Sequence, residues 1–580
     1  MKSLNKLLPY VKPYTLFAIL GPLLMCVEVA MDLLQPTIMQ HIIDVGIANN
    51  NNAYVMKLGF FMLFTAFIGL IGGVGSTVYS TKASVNFAAD IRRDVFKKTE
   101  QFSSENMDSF GTGKLITIVT NDVTAVQQAL MMTLRIFVRG PFLFIGAVVI
   151  VWFTARELFP VLLVAIPILM VLIYWFSSKS GQLFARVQRA MDRVNTKLQE
   201  TFAGIRVIKA FGRSDFETNT FKQVNDTLTK RNMAAEQVIL TLMPIMLFVV
   251  NIGVVFGMWM GAIKINEGTL QVGVILAFIN YLNIIMNGLM TSSNVLMQIT
   301  KSFTSANRIQ QVLETEIHIR EPITPAALLK IKGEVEFRQV NFSYSKNGEY
   351  VLKNISFQVK AGETIGIIGS TGSGKSTLVK LIPRLYDPDS GEIFIDGVNI
   401  KEYPLEKLRE SIGFVQQKAT LFSGTIEENL RFGKEEANFE DMEEAAQSAA
   451  AAEFINKLEG KFGYELMQGA TNLSGGQKQR LAMTRAFIRE PKILILDDST
   501  SAIDALSEAS VQQALRQNHP DTTVFFISSK VSSIQDADQI FVIDDGIIEA
   551  SGTHKELIIN SNVYRGIYET QKGKEILSYE

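Results

Sequence analysis

Apolar residues fall into two patterns along the chain. From about residue 15 to about 300 they form long runs broken by short polar stretches. From about residue 333 they form short runs that alternate with amphipathic segments. A helix needs about 20 mostly apolar residues to cross a bilayer. Six segments meet that length: about 15–43, 54–80, 129–154, 158–176, 236–264 and 271–296. The second carries the small-residue stretch GLIGGVGS, which permits close helix contact. Several segments run longer than a span requires. Long helices projecting into water are therefore expected, with the polar stretches after the second and fourth spans as their extensions.

The later pattern predicts a different kind of domain. EVEFRQVNFSY, TIGIIG, KILILDD and TTVFFIS read as strands set between helices, which is an α/β domain with a parallel sheet. Residues about 301–332 read as a connecting helix and then a linker, EPITPAAL. The expected organisation is a transmembrane α-helical domain over 1–310, a linker over 311–332 and an α/β domain over 333–580.

Composition agrees with a membrane half and a soluble half. Of 580 residues, 47% are hydrophobic and 19% charged, with charge sparse in the first half. The mean hydropathy is +0.19. The 56 basic and 57 acidic residues leave a net charge of −1, so no nucleic-acid partner is indicated. Cys26 is the single cysteine, which excludes an intrachain disulfide and a cysteine-based metal cluster. The four histidines show no metal-ligand spacing.

Basic residues set the orientation. The loop DVGIANNNNAY has no Lys or Arg, whereas DIRRDVFKKTE follows the second span. The first loop is then outside and the second inside. Six spans return both termini to the cytoplasm, in a multi-pass protein of the cytoplasmic (inner) membrane. The opening MKSLNKLLPYVKPY is expected to lie as an amphipathic helix at the inner surface of the bilayer, not to act as a cleavable signal.

Two motifs bring chemistry to the α/β half. GSTGSGKST at 369–377 stands between a strand and a helix and matches the phosphate-binding P-loop. Gly369, Gly372 and Gly374 let the main chain curl so that N–H groups of Ser370, Thr371, Ser373 and their neighbours face phosphates. Lys375 reaches the outer phosphates, Ser376 ligates Mg²⁺, and Thr377 completes the ATP-binding stretch. ILILDDSTSAID at 493–504 is a buried strand that delivers two acids to the sheet edge. Asp497 then fits as the acid that helps hold Mg²⁺. ATP with Mg²⁺ is the expected ligand.

The stretch LSGGQ at 473–477 opens the helix QKQRLAMTRAFI and resembles the signature of ABC transporter ATPases. That resemblance implies two such domains with each ATP sandwiched between one P-loop and the other domain's signature. Leu473, Ser474, Gly475, Gly476 and Gln477 would serve the partner's ATP. Tyr344 in VNFSY matches the aromatic that stacks on adenine, Gln417 the glutamine that contacts Mg²⁺ and the attacking water, and SAID at 501–504 the loop that crosses the dimer interface. The membrane half resembles the six-helix, type IV exporter. FGTGKLITIVTNDV at 110–123 and ETFAGIRVIKAFGRSDFE at 200–217 resemble its two coupling regions.

Three positions depart from the family pattern. Asp498 stands where the family carries the glutamate that polarises the attacking water, and it is shorter by about 1.5 Å. A misplacement of about 1 Å can cost on the order of 10²-fold in rate. Ser529 stands in place of the switch histidine, and Gln468 in place of an acid before the signature. An intact signature beside a weakened catalytic site resembles the degenerate-site subunit of heterodimeric bacterial multidrug exporters. The resemblance implies a second, non-identical half-transporter that supplies a catalytic Glu. A homodimeric lipid or drug flippase and a non-transporting ATP-dependent sensor are the rival readings.

Cargo is less marked. Met243, Met246, Met258, Met260, Met286, Met290, Met297 and Trp259 suit adaptable apolar ligands, though such residues also serve packing and lipid contact. Glu28 and Asp32 lie one helical turn apart at membrane depth, where acids are costly. They either attract cationic molecules or line an outer gate, or pair with a partner-chain Lys or Arg. Asn280, Asn283 and Asn287 form a polar stripe on the sixth span. Hydrophobic or cationic small molecules within the lipid bilayer are the expected substrates.

Overall fold

The computed structural model describes residues 6–322, 331–345 and 348–578, with side chains outside 293–301 and 573–578. Residues 1–5 of the opening segment, residues 323–330 of the linker and the Met297 side chain lie outside that description. The chain divides into two compact units. One joins the residues up to Glu100 to Gly111–Thr315; the other joins Gln101–Phe110 to the residues from Glu316 onward.

The first unit is helical. Its long helices are α1 (Thr15–His41) and α2 (Asn52–Glu100). The short α3 (Ser104–Phe110) belongs to the second unit. Then come α4 (Val123–Thr154), α5 (Phe159–Ala203), the short α6 (Ile205–Ala210), α7 (Ser214–Asn266) and α8 (Val272–Glu314). Among the described residues, six helices are long and apolar enough to cross a membrane. At 49 residues, α2 extends about 74 Å, more than twice the hydrocarbon thickness of about 30 Å. The expected extensions are therefore continuous with the spans. α8 continues to Glu314, so the helix reaches into the segment read as linker.

Small residues let these helices approach closely. A Cβ at Gly72 would lie 2.8 Å from the Leu24 carbonyl of α1, and one at Gly288 of α8 would lie 2.9 Å from the Gly140 carbonyl of α4. Tyr281 is fully buried among α1 and α8, and its hydroxyl donates to the Leu33 carbonyl at 2.8 Å. Near the start of α4 a π-helical turn, Ile118–Asp122, carries Asp122 inward. There the buried Asp122 carboxylate accepts from Ser305 at 2.8 Å and pairs with both forks of Arg308.

The second unit holds two main sheets. β1 (Val335–Phe342), β2 (Leu352–Val359), β4 (Ser390–Ile395) and β5 (Val398–Asn399) form an antiparallel sheet in the order β2-β1-β4-β5. β3 (Thr364–Gly369), β6 (Ile412–Val415), β9 (Ile493–Asp497), β10 (Thr523–Ile527), β11 (Gln539–Asp544) and β12 (Ile547–Gly552) form the second, in the order β12-β11-β3-β10-β9-β6. A small ladder pairs β7 (Gly424–Thr425) with β8 (Glu465–Leu466). The central pairs of the six-stranded sheet are parallel, and β9 and β10 are buried along their whole length. Near-continuous apolar runs are what a two-sided parallel strand requires.

Candidate nucleotide site

Parallel pairing brings the chemistry to one edge. β10 lies between β3 and β9, with Ile527 opposite both Ile367 and Asp497. The carboxyl ends of β3, β9, β10 and β6 therefore open at the same edge. They deliver Gly369, Asp497, Ser529 and Gln417 respectively. This is where an open α/β sheet binds ligands.

The P-loop follows β3 and leads into α9 (Lys375–Leu381). Gly374 has φ 103°, a left-handed conformation that glycine tolerates, and it forms the N-cap of α9. A Cβ at Gly369 would meet the Ile543 carbonyl at 1.9 Å, so that position admits only glycine. A Cβ at Gly372 would meet nothing within 4 Å. The Lys375 ammonium donates to the carbonyls of Gly369 at 2.9 Å and Ser370 at 2.6 Å. Burial pushes the Lys375 amine below its ordinary range, while Asp498 and Asp497 pull it back.

Ser376 and Asp497, the two residues expected to hold Mg²⁺, meet directly. The Ser376 hydroxyl donates to Asp497 Oδ1 at 2.7 Å, and Asp497 is only 4% exposed. Burial pushes the Asp497 carboxyl above its ordinary range, against the Ser376 hydrogen bond and Lys380. A hydroxyl and a carboxylate so placed fit Mg²⁺, an oxygen-seeking cation that also relieves the buried charge. Beside them the Gln417 amide donates to Asp498 Oδ2 at 3.2 Å. Asp498 sits at φ +46°, and its N–H donates to Ile527. Tyr344 is 44% exposed, and its hydroxyl pairs with that of Thr377 at 3.0 Å. An exposed ring anchored to the P-loop helix suits stacking on a base.

The signature lies on another surface. Ser474 caps α10 (Gly475–Phe487) in a reciprocal box with Gln477: its hydroxyl accepts from the Gln477 N–H, and its N–H donates to Gln477 Oε1 at 2.9 Å. Leu473 is buried beneath, and a Cβ at Gly475 would meet nothing within 4 Å. Among the described residues, no hydrogen bond joins the side chains of Ser474 and Gln477 to the P-loop of the same chain. Gln468 is exposed nearby. Asp504, which ends the SAID stretch, caps α11 (Ala505–Asn518).

Sequence reasoning missed three residues that hold these parts. Gln479, buried on α10, donates to the Gln417 carbonyl at 2.9 Å and so ties the signature helix to the Gln417 loop. Gln571 on α12 (Asn562–Ser578) donates to the Ser529 carbonyl at 2.7 Å and accepts from the Val531 N–H at 2.9 Å. Tyr386 packs edge-on against Tyr344 at 5.3 Å between ring centres and donates to Asp108 on α3 at 2.6 Å. A glutamine or tyrosine outside any motif gives no sequence signal; these roles arise from pairing distant segments.

Both stretches that resemble coupling regions lie in the membrane unit, apart from Phe110. Of 110–123, only Phe110 belongs to the second unit, and the segment built into that unit is Gln101–Phe110. Gly111 at φ 74° ends α3 and separates it from the rest. Residues 200–217 belong to the membrane unit and expose Phe202, Val207, Phe211 and Phe216, with Phe211 77% exposed.

In the membrane unit, Glu28 and Asp32 are not bare charges. Arg139 of α4 lies 3.2 Å from Glu28 Oε1 and 3.2 Å from Asp32 Oδ2, so their cation comes from the same chain. Asn280 and Asn283 donate to the carbonyls of Leu276 and Ile279, one turn earlier on their own helix, whereas Asn287 lines a cavity with Asp32. Of the methionines, Met246 and Met286 are buried and Met243 and Met258 exposed.

Comparison with known proteins agrees with this architecture. A family model described as the ABC transporter transmembrane region matches residues 18–289, and one described as ABC transporter matches residues 352–501. The chain is 40% identical to the uncharacterized ABC transporter ATP-binding protein YfiB of Bacillus subtilis (strain 168), covering 99% of both chains. It is 29% identical to the ATP-dependent lipid A-core flippase of Pectobacterium atrosepticum, over 99% of this chain and 98% of that protein. A solved bacterial Atm1-family ABC exporter with ATP bound shares the fold at a TM-score of 0.79 and 23% identity, over 97% of this chain and 98% of the other.

Proposed function

The chain belongs to the ABC transporters, as a multi-pass exporter half with its own ATPase domain, and from that premise we propose that it is the slow-site subunit of a heterodimeric multidrug exporter. ATP binding draws this ATPase domain against that of a second, non-identical half-transporter, and the membrane cavity changes from inward-facing to outward-facing. Hydrolysis occurs mainly at the composite site made of the partner's P-loop and catalytic glutamate with Ser474, Gly475 and Gly476 of this chain. The ATPase domain and both termini face the cytoplasm. Ser376 and Asp497 would hold Mg²⁺, which would supply positive charge beside the phosphates.

The observation that carries this reading is that Asp498 and Ser529 share the sheet edge that bears the P-loop, in a chain whose P-loop and signature sequences are complete. Asp498 is already engaged by the Gln417 amide, and its carboxylate is one carbon short of a glutamate's. Ser529 offers a hydroxyl, which cannot become cationic as an imidazole can. The signature serine and Gly475 open to solvent, as they must to meet another chain's ATP. The exposed apolar face around Phe211 supports a second chain too.

The test is co-expression with the neighbouring gene product and comparison of ATPase rates. Asp498→Glu with Ser529→His is expected to raise the rate, and removal of the partner's glutamate to collapse it. Equal rates in both would defeat the heterodimer. Full activity of this chain purified without a partner would point to a homodimeric flippase. Reconstituted vesicles that hydrolyse ATP but move no dye would point to a sensor.

A further inference from the structure

Acids at membrane depth suggest a cationic cargo, but the charges around them are already arranged otherwise. A cavity of about 650 Å³ lies between α1, α4 and α8. Asp32 reaches it from α1, Arg135 and Arg139 from α4, and Asn287 from α8. Its remaining walls include Met25, Leu143 and Ile284. Arg139 lies about 24 Å of helix from Ala155, where α4 ends, which is well inside the span. It is the shared counter-ion of Glu28 and Asp32. A cation entering here would have to displace a guanidinium that both carboxylates hold.

Arg135 is different. It lies one helical turn from Arg139 and lines the same cavity, yet it makes no ion pair or hydrogen bond among the described residues. A guanidinium does not deprotonate in proteins. A permanent cation among apolar helices is expensive and normally has a partner or faces a water-filled path. The Asn287 side-chain amide also makes no hydrogen bond among the described residues, while the main-chain carbonyl of Asn287 accepts from the Thr291 hydroxyl at 2.7 Å. A fork of N–H donors, an open amide and apolar walls together suit an oxyanion attached to an apolar body.

We propose that this cavity binds an amphipathic molecule through an oxyanion held by Arg135, with Arg139 kept from that role by Glu28 and Asp32. The proposal rests on the exporter reading and names the cargo class for it. A carboxylate, sulfonate or phosphate head would do; the source is either a membrane lipid or a water-soluble amphipath.

The test is equilibrium binding to the full-length chain in lipid nanodiscs without nucleotide, so that it does not depend on transport. The probes are dansyl-labelled undecanoate and a dansyl analogue of equal length ending in trimethylammonium. The undecanoate probe should bind roughly tenfold or more tightly than the ammonium probe, the size of one charge-assisted contact. Arg135→Gln should abolish that preference, and Arg135→Lys should keep part of it; ATP-induced thermal stabilisation reports that each variant is folded. Displacement of the probe by phosphatidylglycerol but not phosphatidylcholine, dependent on Arg135, assigns the head to a lipid. Lack of displacement, with the preference intact, assigns it to a water-soluble amphipath. Equal binding of both probes, or a wild-type undecanoate curve in Arg135→Gln, overturns the proposal. Vesicles that move no dye while the Arg135-dependent preference persists would sink the exporter reading and leave this site standing.

Discussion

The Tyr386 hydroxyl donates a 2.6 Å hydrogen bond to the carboxylate of Asp108, while its ring stands edge-on to that of Tyr344. One side chain thus touches both the candidate adenine ring platform and α3, which Gln101–Ser103 joins to the long α2. Burial first, and then the Asp108 hydrogen bond, push the Tyr386 phenol above its ordinary range, so it remains a donor at physiological pH.

Tyr386→Phe should keep the ring contact and lose the hydrogen bond. Bonds to charged groups contribute about 1.5–3 kcal/mol. Stimulation of ATPase by transported dye should fall roughly three- to tenfold, with little change in ATP affinity. Vesicle ATPase assays with and without dye check this; unchanged stimulation would remove Tyr386 from the coupling path.

Gly475→Asp should stop turnover of the assembled complex without unfolding it. A Cβ there meets nothing within 4 Å, so the fold has room. A carboxylate at a helix N-terminus that must receive a phosphate places like charges together. A loss on the order of 10²-fold or more is expected, in line with removing a key electrostatic contact. Binding of ATP by this chain's own P-loop should persist, measurable with a fluorescent nucleotide.

Gln571→Ala should loosen the loop that carries Ser529. Two hydrogen bonds from one amide are lost, a cost of about 1–3 kcal/mol at typical values. Hydrogen exchange at the Val531 N–H should quicken correspondingly. The same change should blunt any gain from Ser529→His, because an imidazole on a mobile loop cannot hold its position. Unaltered exchange at Val531 would argue against the clamp.

His519 should make the ATPase half acid-sensitive. Burial against Phe487 holds its pKa below the ordinary 6.5, with Glu490 and Glu444 opposing. The unfolded chain takes up this proton at a higher pH than the folded chain. Stability is therefore full above about pH 6.5 and declines as pH falls toward the folded value. His519→Gln should flatten the difference in thermal midpoint between pH 7.5 and pH 5.5; an equal difference in both proteins would assign the sensitivity elsewhere.

Much of the molecule was readable from residue order. Six spans stand out because hydrophobic length is a local property. The P-loop, Asp497 and LSGGQ are legible for a related reason: each is a contiguous stretch or one strand end. Gly369 and Gly374 sit where the motif requires them, and Asp497 ends β9 as its apolar run implies. Side-chain partners around the stretch 110–123 were less readable: Asp122 turns inward to Arg308, and Asp108, just before that stretch, meets Tyr386.

Spans, motifs and the two departures at Asp498 and Ser529 follow from the order of residues, since backbone hydrogen bonding and strand burial are set by near neighbours. Which long-range partners meet does not follow. Arg139 takes both Glu28 and Asp32 and leaves Arg135 without an ion pair among the described residues because α1 and α4 pack at one register, and helix packing depends on shapes contributed by segments about a hundred residues apart. The hold of Gln571 on Ser529 has the same origin: a side-chain amide finds its partners only after β10 and α12 have been brought together by the core beneath them.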